Sequence, residues 1–217
     1  MAKAYILVEG HGELGAVDNL ISRLSTALEA HRPWSPAFRW KNLHQRQGIE
    51  RGAEFVRNKR DVDALLILRD EDDACPMERG PSMASWLKEL QLPFPSAVVL
   101  FHPEYEVLFL PCLEMMAGKL LGKGASARPG LRPGTRWEEP SWESRRGIKE
   151  WLTSHFPSNR SYKPTLDQLP LTRLIDFSVL RQSNLPCFGT LERALQFLAK
   201  GEAGGVYPPV GGSPSGR

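Results

Sequence analysis

YILVEGHGE, residues 5–13, is the stretch that decides the predicted fold. Its first four residues form a short apolar run, which is typical of a strand buried on both faces. Two glycines then indicate a turn, and apolar residues recur at helical spacing from Val17 to Leu28. The stretch therefore predicts a strand, a glycine turn and a helix over about 13–30, which is the first half of a βαβ unit.

Two further apolar runs, residues 64–68 and 97–101, are predicted to be buried strands. A weaker strand is expected around 38–40. Segments predicted to be helical separate and follow these strands: 48–59, 81–90, 107–121, 144–156, 169–180 and 186–199. Alternating strands and helices predict an α/β protein, with a mostly parallel, Rossmann-like sheet flanked by helices.

The composition limits the classes of function. With 41% hydrophobic residues among 217, the chain is long enough to bury a core, so wholesale disorder is excluded. A net charge of +3 is too small for a polyanion binder that works through bulk charge. No apolar run reaches the roughly 18 residues of a membrane span, so no membrane partner is expected. The three cysteines lack any C-x-x-C spacing and predict reduced thiols in the cytoplasm.

The predicted organisation has three parts. Residues 1–121 form the α/β core, and residues 122–200 form a basic loop and a helical C-terminal extension packed on that core. Residues 201–217 are mostly Gly, Pro and Ser, and they predict a flexible tail with no core to join.

All three clear strands are followed by acidic residues. Glu9 follows the first strand, Asp70 and Asp72 the second, and Glu104 and Glu106 the third. Because the carboxyl ends of parallel strands share one edge of the sheet, these carboxylates are expected to gather there. Hard divalent cations such as Mg²⁺ prefer carboxylate oxygens, so the pattern predicts a metal site at this edge. The alternative is a set of solvated loop and helix-cap residues.

These segments resemble the TOPRIM domain of topoisomerases, primases and OLD-type nucleases. The resemblance rests on VEGHGE at 8–13, LILRDEDD at 66–73 and EYEVLFL at 104–110. RGIKEWL at 146–152 and YKPTLDQ at 162–168 are similar to the C-terminal motifs of a small stand-alone bacterial TOPRIM-like family of unknown function, related to the OLD-type nucleases. The resemblance covers roughly residues 4–200 and implies a TOPRIM fold.

The resemblance implies hydrolysis of phosphodiester bonds with Mg²⁺ or Mn²⁺. It implies Glu9 and Lys163 as catalytic residues, with Lys149 a weaker candidate for the role of Lys163. The implied metal ligands are Glu9, Asp70, Asp72 and Glu106. Further ligands or neighbours of the metal would be Glu13, Asp73 and Glu104.

The implied partners are nucleic acid and an ATPase. Relatives of this kind usually act with an AAA- or ABC-type ATPase, often in bacterial antiphage defence. The chain has no P-loop motif, so such an ATPase would be a separate protein. The sequence leaves open DNA or RNA as substrate, and a homo-oligomer.

Basic residues after Gly118 are candidates for contacts with the phosphate backbone, and Trp137 and Trp142 for stacking on bases. The candidate basic residues are Lys123, Arg128, Arg132, Arg136, Arg145 and Arg146. The alternative for this segment is a solvated, mobile insertion.

Two other functions remain open at this point. One is a non-catalytic TOPRIM scaffold or partner subunit that binds nucleic acid or an ATPase. The other is a phosphoacceptor signalling domain, which also has acidic strand ends on a doubly wound sheet. Glu9-Gly10 and Asp70-x-Asp72 fit that second class poorly, because it needs paired acids after the first strand.

Overall fold

The computed structural model describes residues 2–122 and 124–210. Its strands are β1 (Lys3–Val8), β2 (Phe38–Arg39), β3 (Val62–Asp70), β4 (Ser96–Phe101), β5 (Leu120–Leu121), β6 (Arg128–Pro129) and β7 (Val206–Tyr207). Its helices are α1 (Glu13–Ala27), α2 (Arg46–Arg57), α3 (Pro76–Glu89), α4 (Leu113–Met116), α5 (Ile148–His155), α6 (Leu169–Thr172), α7 (Phe177–Gln182) and α8 (Pro186–Lys200). Two 3-10 helices span Tyr105–Cys112 and Gly124–Ser126, and one π-helical turn spans Pro164–Gln168.

The central sheet has the strand order β2-β1-β3-β4-β7, and every neighbouring pair is parallel. This confirms the predicted α/β class with a parallel sheet flanked by helices. The order changes direction between β1 and β3, and in such sheets the ligand crevice lies off the carboxyl ends of the two strands at that point. The carboxyl ends of β1 and β3 are the start of the glycine turn and Asp70.

Helices cover both faces of the sheet, which explains why its central strands are continuously apolar. Ile6, Val8 and Leu68 face one core, together with α1, the 3-10 helix at 105–112 and α5–α8. Leu7 and Ile67 face the other core, against α2 and α3. Residues of 122–200 thus share a core with β1, β3 and β4.

Two predicted helices are interrupted, and local chemistry accounts for both breaks. The segment after Glu104 is a 3-10 helix that contains Pro111, which has no N–H to donate, and a single turn of α-helix follows it. The predicted helix 169–180 is divided into α6 and α7. Asp176 caps α7, because its Oδ1 accepts a hydrogen bond of 2.8 Å from the Ser178 amide.

The prediction of a tail without a core is wrong at Val206 and Tyr207. Val206 and Tyr207 form β7 beside Ser96 and Ala97 of β4, and the Tyr207 ring lies 5.9 Å from that of Phe197. An apolar β-branched residue followed by an aromatic suits a pleated edge position. Residues 211–217 lie outside the described part of the chain. Among the described residues, no helix has both the length and the hydropathy needed to cross a bilayer.

Candidate metal centre at the carboxyl edge of the sheet

Three carboxylates meet at the carboxyl edge of the sheet. One oxygen each from Asp70, Glu104 and Glu106 lie within 4.8 Å of one another. Asp70 ends β3, whereas Glu104 and Glu106 follow β4, so the parallel pairing of these strands brings them together. Within residues 2–122 and 124–210, no other His, Cys, Asp and Glu side chains group this closely in threes.

The Lys149 ammonium lies among these carboxylates. Its Nζ is 2.6 Å from Glu104 Oε2, 3.4 Å from Asp70 Oδ2 and 3.4 Å from Glu106 Oε2. Lys149 stands in the first turn of α5, and its backbone N–H donates to Glu104 Oε1 at 3.1 Å. The helix therefore offers both its amino end and a full positive charge to the cluster, and both favour carboxylates.

Glu106 is fully buried, and its two oxygens differ. Oε1 accepts a hydrogen bond of 2.7 Å from the Tyr162 hydroxyl and a longer one of 3.4 Å from Gln168 Nε2. Oε2 accepts no hydrogen bond, although Lys149 Nζ is 3.4 Å away. Because a buried oxygen without a donor is costly, Oε2 is a position where a cation or a water would be stabilising.

The cluster perturbs the protonation of its members. Burial raises the pKa of Asp70 to about 6 and that of Glu106 to about 7, against the opposing effect of the Lys149 ammonium. Burial acts on Lys149 in the opposite sense, but the carboxylates of Glu106, Asp70 and Glu104 outweigh it and raise its pKa. Without a further cation, the edge thus holds more carboxylates than one ammonium can neutralise.

Glu13 also lies at this edge, close enough for the charges of Asp70 and Glu106 to act on it. It is buried at the start of α1, and burial together with the Asp70 charge raises its pKa to about 8. The two glycines of the turn make this packing possible. A Cβ on Gly10 would lie 2.4 Å from Glu13 Oε1, and one on Gly12 would lie 2.6 Å from Gln168 Oε1. The turn after β1 therefore needs glycine at both positions, because Glu13 lies too close to Gly10, and the π-helical turn too close to Gly12, for a Cβ.

Glu9 does not join this cluster. Its Oε1 accepts from the Leu43 amide at 2.8 Å, and its Oε2 lies 3.4 Å from Arg69 Nε. Side chains alternate along a strand, so Asp70 points toward the face of Leu68, and Arg69 points toward the opposite face. Glu9 pairs with Arg69 on that opposite face, which corrects the expectation that Glu9 and Asp70 converge.

Asp72, Asp73 and Lys163 are exposed. Asp73 pairs with Arg146 Nη1 at 2.9 Å, and Asp72 lies outside the group of three close carboxylates. Lys163 forms no ion pair with any residue of the described ranges, but it directly precedes Pro164, which packs against Gly12. The buried acid of this loop is instead Glu71, which pairs with Arg69.

Most of the basic candidates have partners within the protein. Arg128 pairs with the buried Asp167 at 3.2 Å, and Arg132 donates to the Ser154 carbonyl at 2.6 Å. Arg136 and Arg145 pair with Glu138 and Glu139 on the surface. Lys123 lies outside the described residues.

The segment that carries these basic residues is anchored to the core. Leu121, in β5, and Leu131, just after β6, are both buried. The Trp137 ring meets that of Trp151 at 5.1 Å, and Trp142 Nε1 donates to the Ser183 carbonyl at 3.0 Å. Both tryptophans therefore contribute to packing in this conformation, rather than standing free to stack on bases.

Sequence reasoning undervalued Glu104 and Lys149, and it missed Tyr162 and Gln168 as partners of the cluster. The E-x-E spacing after β4 was the available signal for Glu104. Tyr162 and Gln168 begin and end the YKPTLDQ segment that carries the resemblance, but nothing in that segment indicates that they reach Glu106 across 56 and 62 positions of the chain.

The fold and the cluster together define an α/β protein with three carboxylates around one lysine ammonium at the carboxyl edge of a parallel sheet. The chain belongs to the family described as Domain of unknown function (DUF4276), whose model matches residues 8–196. No curated protein matches the chain, and no solved structure matches it either.

Proposed function

We propose that the protein is a TOPRIM-like nuclease that hydrolyses phosphodiester bonds with Mg²⁺ or Mn²⁺ held by Asp70, Glu104 and Glu106. The observation that carries the proposal is the buried Glu106 Oε2, which has no hydrogen-bond donor and lies beside two other carboxylates. The position of the cluster supports the proposal as well. Asp70 ends β3, so the cluster borders the crevice off the carboxyl ends of β1 and β3.

The donor set fits a hard divalent cation. Mg²⁺ takes oxygen ligands only and typically uses one or two carboxylates, with water and substrate phosphate completing its shell. All three groups offer carboxylate oxygens, and no thiol or imidazole belongs to the cluster. A zinc site would favour nitrogen or sulfur ligands instead.

A bound cation would supply charge stabilisation at the phosphate and acidify a coordinated water. The chain's own residues hold the ligands in place for this. The Tyr162 hydroxyl fixes one oxygen of Glu106, and the Tyr105 amide donates to Asp70 Oδ1 at 2.8 Å. Lys149 and the exposed Lys163 supply positive charge for a phosphate that approaches the edge.

The remaining parts of the proposal rest on the family resemblance. They are a nucleic-acid substrate, a separate AAA- or ABC-type ATPase and a role in bacterial antiphage defence. Free Cys75, Cys112 and Cys187 are compatible with action in the cytoplasm. Exposed Arg145 and Arg146 are the basic residues best able to exchange a surface ion pair for a phosphate.

A second function, a non-catalytic scaffold, is favoured by one observation. Lys149 already contacts all three carboxylates, and an ammonium can serve as a permanent counter-ion in a structural site. In that case the acidic edge would stabilise the fold or a complex and would not hydrolyse phosphodiesters.

Glu106→Gln tests the proposal, with Glu114→Gln as the matched control, because Glu114 is exposed and does not belong to the group of three close carboxylates. Both proteins and the wild type are incubated with labelled DNA and RNA in Mg²⁺, Mn²⁺ or EDTA. We expect cleavage by the wild type and by Glu114→Gln, abolished by EDTA and by Glu106→Gln. A wild type that cleaves neither polymer in either metal, alone or with an ATPase purified in complex with it, would refute nuclease function.

A further inference from the structure

The ammonium of Lys149 occupies the space that a cation would need. Its three distances to Glu104, Asp70 and Glu106 run from 2.6 to 3.4 Å, so it lies among oxygens of the same three carboxylates that form the candidate metal centre. An ammonium and a divalent cation cannot both sit among these oxygens, because each would repel the other at short range.

Lys149 has room to leave. Its side chain keeps 35% of its surface exposed, whereas those of Glu104 and Glu106 are 8% and 0% exposed. The carboxylates are therefore fixed in the interior, and the lysine reaches them from the rim. A long flexible stem allows Nζ to swing to solvent without movement of α5, because only side-chain torsions change.

The fit between lysine and carboxylates is incomplete. Glu106 Oε2 is buried and accepts no hydrogen bond, even though the ammonium is 3.4 Å away. One ammonium has three N–H donors, but it faces three carboxylates with two acceptor oxygens each. Two of these carboxylates, Glu104 and Glu106, are buried. A divalent cation would supply twice the charge and would bind oxygens directly, without needing donor geometry.

We propose that Lys149 is an exchangeable internal counter-ion, which keeps the acidic edge neutralised until a divalent cation displaces it to the rim. The lysine then sets the metal concentration at which the site fills. This inference rests on the proposed function for the metal centre, but it concerns binding and not hydrolysis.

Metal affinity tests the proposal directly. Mn²⁺ is titrated into metal-free wild type, Lys149→Met and Lys41→Met, with free Mn²⁺ followed by electron paramagnetic resonance. Each variant loses one positive charge, but Lys41 is exposed on the loop that precedes α2. We expect Lys149→Met to bind Mn²⁺ about tenfold more tightly than wild type, since a competing charge is removed at contact distance. Lys41→Met should stay within about twofold of wild type, because an exposed charge is screened.

A second measurement needs no variant, in case Lys149→Met does not fold. Wild type is treated with an amine-acetylating reagent with and without Mn²⁺, and peptides are quantified by mass spectrometry. We expect Mn²⁺ to increase acetylation of Lys149 several-fold, as the side chain moves to solvent, and to leave that of Lys41 unchanged.

The outcomes separate this inference from the proposed nuclease. Equal Mn²⁺ affinity of wild type and Lys149→Met, or weaker binding by the variant, would overturn the exchange even if the protein cleaves nucleic acid. Lower acetylation of Lys149 with Mn²⁺ would overturn it too. If Lys149→Met binds Mn²⁺ more tightly but the wild type cleaves no polymer, alone or with an ATPase purified in complex with it, the exchange is supported and the nuclease is refuted. Absence of Mn²⁺ binding to every protein would overturn both.

Discussion

The Tyr162 hydroxyl donates a hydrogen bond of 2.7 Å to Glu106, across 56 positions of the chain. Tyr162 lies between α5 and the π-helical turn, and Glu106 lies in the 3-10 helix after β4. The bond therefore ties the C-terminal extension to the carboxyl edge of the sheet. Both side chains are buried, so solvent does not replace the bond when it is lost.

Tyr162→Phe should destabilise the protein by about 1–3 kcal/mol, because Glu106 loses its shortest hydrogen bond in a buried site. Urea denaturation of metal-free protein measures the change in free energy of unfolding. Tyr207→Phe is the control, since the Tyr207 hydroxyl accepts from Arg193 at 2.9 Å on the exposed surface. A loss no larger than that of the control would show that the Glu106 contact is not stabilising.

Glu13→Gln should change how stability depends on pH. The folded state raises the pKa of Glu13 from 4.5 to about 8, so folding favours the neutral carboxyl. That contribution is fully present below about 4.5, the unfolded value, and is lost as the pH rises through about 8. Glutamine cannot ionise, so the stability of the variant relative to wild type should increase across this window.

The measurement is thermal or urea unfolding at several pH values from 4 to 9 in EDTA, and the expected relative gain is on the order of a few kcal/mol. Glu114→Gln, at an exposed position, controls for loss of one negative charge. Parallel pH curves for wild type and Glu13→Gln would contradict the assignment of a raised pKa.

Gly12→Ala should displace the π-helical turn. Gly12 has φ −67° and ψ −30°, which alanine adopts freely. Any loss of stability in the variant would therefore come from steric contact of the new Cβ and not from backbone strain. The added Cβ would lie 2.6 Å from both Pro164 Cβ and Gln168 Oε1. We expect a loss of about 1–3 kcal/mol in the free energy of unfolding.

Gly15→Ala is the matched control for that substitution. Its Cβ would meet Leu169 Cδ2 at 3.4 Å, an ordinary contact, and alanine favours the interior of α1. A gain of about 0.5–1 kcal/mol is expected there. Equal changes in the free energy of unfolding for the two substitutions would show that the turn at 164–168 moves away from the new Cβ at little energetic cost.

Arg69→Met should be strongly destabilising, because Arg69 is buried between Glu9 and Glu71 and is the close partner of both. Removing one member of a buried ion pair typically costs about 3–5 kcal/mol. Arg136→Met, which breaks an exposed pair with Glu138, should change stability by less than about 1 kcal/mol. Urea denaturation of both variants makes the comparison, and a similar small loss in each would contradict it.

Glu9→Gln should reduce Mn²⁺ affinity far less than Glu106→Gln. Glu9 contacts Leu43 and Arg69 on the opposite side of the sheet from Asp70, whereas Glu106 lies inside the carboxylate cluster. Isothermal titration of Mn²⁺ into both metal-free variants measures the difference. Equal loss of affinity would instead support Glu9 as a metal ligand, as the family resemblance implies.

The predicted core strands were the most reliable part of the sequence analysis. Residues 64–68 and 97–101 lie within β3 and β4, because a run buried on both faces needs only local composition to be recognised. The prediction of one helix over 169–180 was wrong in its middle, since α6 ends at Thr172 and Asp176 caps the start of a separate helix, α7. Val206 and Tyr207 were missed because a two-residue strand has no period to detect.

The sequence by itself determined that acidic residues collect at one edge, since parallel strands end on the same side of a sheet. Only the tertiary structure decided which of them meet. The pairing of Val8 with Leu68 and the alternation of side chains send Asp70 and Glu9 to opposite faces. Packing of α5 across the edge then brings Lys149 to Asp70 from 79 positions away. Such long-range contacts depend on how whole elements pack, and no local pattern of residues encodes them.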